Sequence, residues 1–468
     1  MPSLKILTLY EHKEMRYSEI TNNLGIPEDK LKESLRKLNR TFARNLPKSS
    51  SNDSPEEKDL DENRGFLILY SNSVKARHYV GFARAGNFVV QVLPKVFEPS
   101  ENEEKNADTN DALLAFLRML NVAYGLKIRE VELAQLREKR TPESLLEIFI
   151  YLFASTLWSE VQRGYHKEYI EIQNEERFLK GKLLMSKELR KLPHQRHTFS
   201  LEMHEFSEDN LLNQIFYAAV RTSLARTTWR VNKKLLGELM MIFDEVSFKE
   251  ITKTDLERVH FTRLNERFKR AFTLAKIVLS TLGGIQGEEA SGFFIDMNDL
   301  FERFMLWVLK RSLWEYEVEY QKELKLLKNG NILSRKQYPD FIINRNGTPV
   351  AVLDAKYKSL GTSEGKLQVS PDSLRQVYVY AKILEEKYGV SGIPVVLIFP
   401  KSNAYNSSIK TEDNEATVGG ATFFDGRRLL VLVYDMETLK EGLKIDEKFR
   451  KSLCNLLGPR SNLDASEK

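Results

Sequence analysis

The residues best suited to chemistry lie in the stretch YPDFIINRNGTPVAVLDAKYK, at 338–358. Along an extended strand side chains alternate between faces, so Val352, Asp354 and Lys356 point the same way. Asp354 and Lys356 would then stand about 6–7 Å apart on one face. A carboxylate there can hold a divalent cation, and an ammonium beside it can orient or deprotonate a water. That is the chemistry of metal-assisted hydrolysis. Hard oxygen ligands at an open site suit Mg²⁺, with Mn²⁺ able to substitute. A lone D-x-K triplet is common and fits an exposed hairpin with ordinary surface charges. Pro339-Asp340, a hairpin, and D-x-K on an otherwise apolar strand make a much more specific pattern.

Whether Asp340 joins this pair depends on the turn between the strands. A two-residue turn at Asn346-Gly347 would pair Asp340 with Leu353 and send it to the wrong face. A three-residue loop, Arg345-Asn346-Gly347 with Gly347 left-handed, would pair it with Val352 and bring it to the site. Both turns suit the sequence.

Two helices must flank such a hairpin. In DLFERFMLWVLKR, Glu302 shares a face with Met305, Leu306 and Leu309 by helical spacing. A carboxylate on an apolar wall calls for a metal, or for a partner such as Arg303. The second helix is predicted over 371–388, opened by Ser370 and Pro371, with Leu374, Val377, Ala381, Leu384 and Tyr388 as its core stripe. Gln376 and Tyr380 lie four apart on an adjacent face, where they could orient the lysine or a phosphate. Around these elements the order reads αβββαβ, with a strand from alternating Trp314, Tyr316, Val318 and Tyr320, another at IPVVLIF, and the hairpin ATFFDGRRLLVLVYD.

The rest of the chain is organised around this C-terminal part. With 468 residues, 42% of them hydrophobic and 29% charged, it is expected to form two or three globular domains. The pattern is multidomain α+β. It divides into an N-terminal β-rich domain over 1–110 with a polar insertion at 48–63, a mainly helical middle over 111–290, an α/β domain over 291–450, and a tail over 451–468. Near the start, Ile20, Leu24, Ile26, Leu31, Leu35 and Leu38 recur at helical spacing around Gly25 and Pro27. A packed helix pair explains them more simply than a DNA-reading motif. No run is apolar enough for a membrane span, and the N-terminus lacks a signal core, so a cytoplasmic location is expected. Cys454 is the only cysteine, which excludes an internal disulfide and a Cys-based zinc cluster. A net charge of +5 does not by itself specify a nucleic-acid partner.

Several other motifs fall short. His194-x-x-His197 has no further ligand at metal spacing. The run Gly361–Leu367 (GTSEGKL) is one residue short for a P-loop, and Leu367 stands where a Ser or Thr would hold Mg²⁺. The basic cluster at 180–191 mixes charge with apolar residues and reads as a solvated helix face.

The sequence of a Glu302 helix, Pro339-Asp340, Asp354-Ala355-Lys356 and Gln376-x-x-x-Tyr380 resembles the RecB-type branch of PD-(D/E)xK nucleases. More closely, DAKYKSL, DMNDLFERFMLWVLKRSL, RGYHKEYIEIQNEERFLKGKLL, HEFSEDNLLNQIFYAAV and VGFARAGNFVVQVLPKVF resemble the McrC family, the nuclease subunits of modified-cytosine restriction systems. The resemblance runs over about residues 79–435. It implies a PD-(D/E)xK domain cleaving double-stranded, modified DNA, with Mg²⁺ held by Asp340, Asp354 and the Ala355 carbonyl. Glu302 would stand at the metal, and Lys356, Gln376 and Tyr380 would serve catalysis. It also implies a partner, an McrB-like AAA+ GTPase hexamer that binds the GTP itself and engages the N-terminal region. The β-rich segment with Arg84 and Lys95 is the expected docking surface, and dimerisation through the nuclease domain is open. Two other readings remain: a stand-alone RecB-like nuclease, or a non-catalytic adaptor that stimulates a GTPase.

Overall fold

The alternating segments of the last third assemble into one six-stranded sheet. The structure is a computed structural model describing residues 5–45, 65–85, 88–98, 105–138, 144–195, 197–286, 292–326, 336–363, 366–402, 406 and 416–457. In sheet order the strands are Glu317–Tyr320, Phe341–Arg345, Thr348–Ala355, Val395–Lys401, Arg428–Asp435 and Thr417–Thr422. The first three form an antiparallel meander and the middle three run parallel, because the helix Pro371–Tyr388 intervenes between Thr348–Ala355 and Val395–Lys401.

That helix has the predicted bounds, and its sequence explains both ends. The Ser370 side chain accepts from the Ser373 amide, Pro371 fits the first turn, and Gly389 takes the left-handed conformation (φ 67°) that closes it. Val377, Tyr380, Ala381 and Leu384 are buried against Ile342, Val352, Val395, Leu397, Leu429 and Val431 of the sheet. On the other face Tyr434 packs edge-on to Phe304 of the helix Met297–Ser312 and to Phe449 of Glu447–Leu457, at 5.4 and 5.3 Å between ring centres. The sheet is therefore covered on both sides. This is why its central strands are nearly continuous apolar runs.

The chain forms two compact units, neither of them a continuous stretch. One gathers the described residues of Leu7–Gly81, Val90–Glu143 and Phe294–Lys468, and includes the six-stranded sheet. Within it, helices Tyr17–Leu24 and Glu28–Asn45 are the packed pair expected from the Ile20–Leu38 stripe, joined at Gly25 (φ 57°). Ile20, Leu31 and Leu35 are fully buried. The other unit gathers the described residues of Met1–Ile6, Phe82–Val89 and Ser144–Phe293. It is built on helices Leu145–Val161, Leu211–Leu224, Arg230–Ile242 and Lys269–Leu282.

The expectation of a mainly helical middle needs one correction. Strands Glu168–Glu176, Phe199–Ser207 and Lys182–Leu183 form a three-stranded antiparallel sheet inside it. Most residues of Glu168–Glu176 are exposed, so the strand carries little apolar alternation that could announce it. The 180–191 cluster is accordingly part strand, with only the short helix Met185–Glu188. His197 Nδ1 lies 2.9 Å from the His194 carbonyl oxygen, a local turn contact. The rejected Gly361 motif is a small hairpin, Gly361–Ser363 with Lys366–Gln368. Among the described residues no helix is long and apolar enough to cross a membrane. The stretches 48–63 and 458–468 and Gly86 lie outside the described residues.

Candidate active site

The hairpin that carries the site makes the first of the two expected turns, but with a register that neither expectation gave. Asn346 (φ 52°) and Gly347 (φ 76°) both take the left-handed conformation and make a two-residue turn, with Arg345 opposite Thr348. The register then shifts: Asn344 faces Pro349, but Ile343 faces Ala351, leaving Val350 as the extra residue of a bulge. Pro349 has no N–H to give the ladder, which favours an irregularity there. Beyond the bulge Phe341 faces Leu353. One residue on, Asp340 is opposite Asp354, and residues directly opposite in an antiparallel pair share a face. The bulge thus restores to Asp340 the face that a plain two-residue turn would have denied it.

Gly347 is required by this turn rather than by crowding, since nothing lies within 4 Å of where its Cβ would be. Gly347→Val should cost about 1–2 kcal/mol, the left-handed penalty for an L residue. It would be measured as a lowered denaturation midpoint of the unit that holds the sheet.

Asp354 has no solvent exposure. Lys356 Nζ lies 2.8 Å from its Oδ2 and Asp340 stands beside it, while no backbone amide bonds either oxygen. Asp340 Oδ2 accepts the Ala355 amide at 2.8 Å. Lys356 Nζ also donates to Gln376 Oε1 at 3.2 Å, and Gln376 Nε2 donates to the Tyr380 hydroxyl at 2.6 Å. One chain of contacts therefore runs from Asp354 through Lys356 and Gln376 to Tyr380. The five residues Asp340, Asp354, Lys356, Gln376 and Tyr380 lie together.

The electrostatics follow from burial. Asp340 is pushed well above the ordinary carboxylate range, first by burial and then by the charges of Asp354 and Glu302. Asp354 is raised by burial, opposed by Lys356. For Lys356, burial pulls down, but Asp354 and Asp340 hold it above the usual lysine value. A buried pair of carboxylates this costly to ionise fits a site made for a cation. Among the described residues no group of three or more His, Cys, Asp or Glu side chains could hold a metal ion, so the donors on hand are this pair and nearby backbone carbonyls.

Glu302 borders the pair without completing a triad. It accepts from Gln321 Nε2 at 2.7 Å, while Arg303 bonds Asp299 instead. Burial raises Glu302 first, with Asp299 and Asp354 adding to the rise against the donors Gln321 and Tyr320. Gln321, in a left-handed conformation (φ 47°) just past its strand, escapes sequence reading because nothing in its spacing marks it. The two expected docking residues are placed as follows. Arg84 lies on the strand Tyr79–Ala85 and is lowered by burial and by Arg226. Lys95 opens a short 3₁₀ turn, Lys95–Phe97, where its charge acts on the fully buried Glu11.

The family model described as McrBC 5-methylcytosine restriction system component matches residues 74–400. Comparison with curated proteins gave no match. Among solved structures, the chain is similar to one described as the refined half-complex from a tetradecameric assembly of Thermococcus gammatolerans McrB AAA+ hexamers with bound McrC. Identity is 44% over 97% of this chain and 100% of that one, with a TM-score of 0.77. A second, the cryo-EM structure of the Thermococcus gammatolerans McrBC complex, is 50% identical over 67% of this chain and 89% of that one, with a TM-score of 0.55.

Proposed function

We propose, from the premise that this chain belongs to the McrC family of McrBC 5-methylcytosine restriction system components, that it is the DNA endonuclease subunit of such a system. The observation that carries this reading is Asp354, fully buried against a second carboxylate, Asp340, and met by Lys356 at 2.8 Å, with Gln376 holding the lysine. The sheet with its covering helices is then a PD-(D/E)xK domain. Its partner is an McrB-type AAA+ hexamer that binds and turns over GTP, and its substrate is double-stranded DNA bearing modified cytosine.

Asp340, Asp354 and the Ala355 carbonyl would hold Mg²⁺ or Mn²⁺, which when bound supplies charge stabilisation at the phosphate and acidifies water. Lys356, held between Asp354 and Gln376, orients the attacking water toward the phosphodiester. Gln376 fixes the lysine by accepting a hydrogen bond from Nζ, and Tyr380 fixes the amide by accepting from Nε2. Tyr380 itself is raised by burial and stays a neutral phenol. The geometry favours this over an adaptor role, because an adaptor has no use for an ionisable cluster buried at such cost.

The test is cleavage of a 5-methylcytosine plasmid by the chain with an McrB-type partner, GTP and Mg²⁺. Cutting that needs every component and stops on chelation is expected, and no cutting under any combination would reject the reading. Within that assay, Gln376→Leu should lower the cleavage rate about 10- to 100-fold by freeing Lys356, with DNA binding unchanged. An unaltered rate would remove Gln376 from the site.

A further inference from the structure

The acidic site poses a problem for any polyanionic substrate. Glu302, Asp340 and Asp354 set three carboxylates against Lys356, which is already paired with Asp354 at 2.8 Å. A bound divalent cation offsets this charge but leaves little to attract a phosphodiester backbone. Three other lysines of the same unit are held in ion pairs: Lys322 with Glu319 at 2.6 Å, Lys336 with Glu323 at 2.8 Å, and Lys382 with Asp425 at 2.8 Å.

Lys358 differs from these. It is exposed, it makes no ion pair among the described residues, and its charge reaches Asp354, which it helps hold down. Its backbone is nonetheless fixed. The Lys358 amide donates to the Lys356 carbonyl at 2.9 Å, closing a tight turn directly after the catalytic strand. Asn406 then pins the following residues: its Oδ1 accepts from the Leu360 amide at 2.9 Å, and its Nδ2 donates to the Pro400 carbonyl at 2.7 Å and the Lys358 carbonyl at 3.4 Å. An exposed, unpaired cation on an anchored turn is what positioning a flexible anion requires, because the ordering of the turn is already in the fold.

We propose that Lys358 receives a backbone phosphate of the DNA next to the scissile one, setting the strand against Asp354 and Lys356. The inference rests on the nuclease reading. It assigns to this chain a DNA contact separate from the acid–lysine cluster.

The test is single-turnover cleavage of modified duplex DNA by the complex of chain, McrB-type partner, GTP and Mg²⁺ over a range of salt. It compares wild type with Lys358→Gln, Lys358→Arg and Lys356→Ala. Lys358→Gln should cut about tenfold more slowly near 0.15 M salt, and the slope of log rate on log salt should be shallower by about 0.9, one phosphate contact. Lys358→Arg, which keeps the charge, should stay within about threefold of wild type. A Lys358→Gln variant with wild-type rate and slope would overturn the proposal, and so would a Lys358→Arg variant as slow as Lys358→Gln. With Lys356→Ala inactive, either result counts against Lys358 alone. Cleavage by Lys356→Ala would sink the nuclease reading and this contact with it.

Discussion

Asp354→Asn will lose DNA cleavage by about 10²–10³-fold or more while the protein becomes no less stable. The substitution keeps the shape of the side chain and removes the charge. In the folded chain that charge has no solvent exposure, no backbone amide on either oxygen, and a second carboxylate, Asp340, opposite it. Lys356 answers only one of the two. Neutralising Asp354 leaves Asp340 and Lys356 as a balanced pair, so metal-free stability should hold or rise by about 0.5–2 kcal/mol. Calorimetry and the cleavage assay read the two effects separately. A destabilised Asp354→Asn chain that still cut DNA would reverse both halves of the expectation.

The largest expected effect on stability lies at Arg427, one of the largest fully buried side chains. Its Nη2 donates to Glu385 Oε2 at 2.8 Å and its Nη1 to the Ile393 carbonyl at 2.8 Å. Glu385 Oε1 accepts the Ile393 amide at 2.9 Å. This cluster fastens the C-terminal turn of the helix that carries Gln376 and Tyr380 to the start of the neighbouring strands. Arg427→Met would leave Glu385 only the Ile393 amide and Lys382, 3.4 Å from Oε2, and should cost about 3 kcal/mol. The double variant Arg427→Met/Glu385→Leu should recover most of that loss, because two apolar groups leave no orphaned charge. Burial pulls Glu385 up, but Arg427 and the Ile393 amide hold it below the ordinary glutamate value. Its folded-state value is depressed, so the stability it adds is present above the ordinary glutamate range and fades as pH falls below it. Arg427→Met should therefore also flatten the acid side of the unit's melting curve. A single variant as stable as wild type at neutral pH would show that the cluster does not hold the helix.

The site was legible in the sequence wherever local chemistry dictated structure. Ser370-Pro371 and Gly389 bracket a helix by capping alone, and alternation alone places Asp354 and Lys356 on one face. The bulge at Val350 was not legible, because a bulge is settled by competition between pairings across the ladder, and Pro349 only biases it. Gln321, Asn406 and Arg427 were missed for a related reason: each has a partner 19 to 48 residues away, a distance that no local periodicity spans. The mostly exposed strand Glu168–Glu176 failed differently, since pattern reading depends on one face being apolar and this strand has almost none. The compact units interleave distant stretches of chain, and composition along the sequence carries no signal for that.

The central claim is that Asp340 and Asp354 together form a divalent-cation site. Mn²⁺ binding by electron paramagnetic resonance, with the chain alone and no DNA, tests it without depending on turnover. Wild type should take up Mn²⁺ competed by Mg²⁺, Asp340→Asn and Asp354→Asn should each lose that uptake, and Gln376→Leu should retain it. Equal Mn²⁺ uptake by wild type and Asp354→Asn would contradict the account.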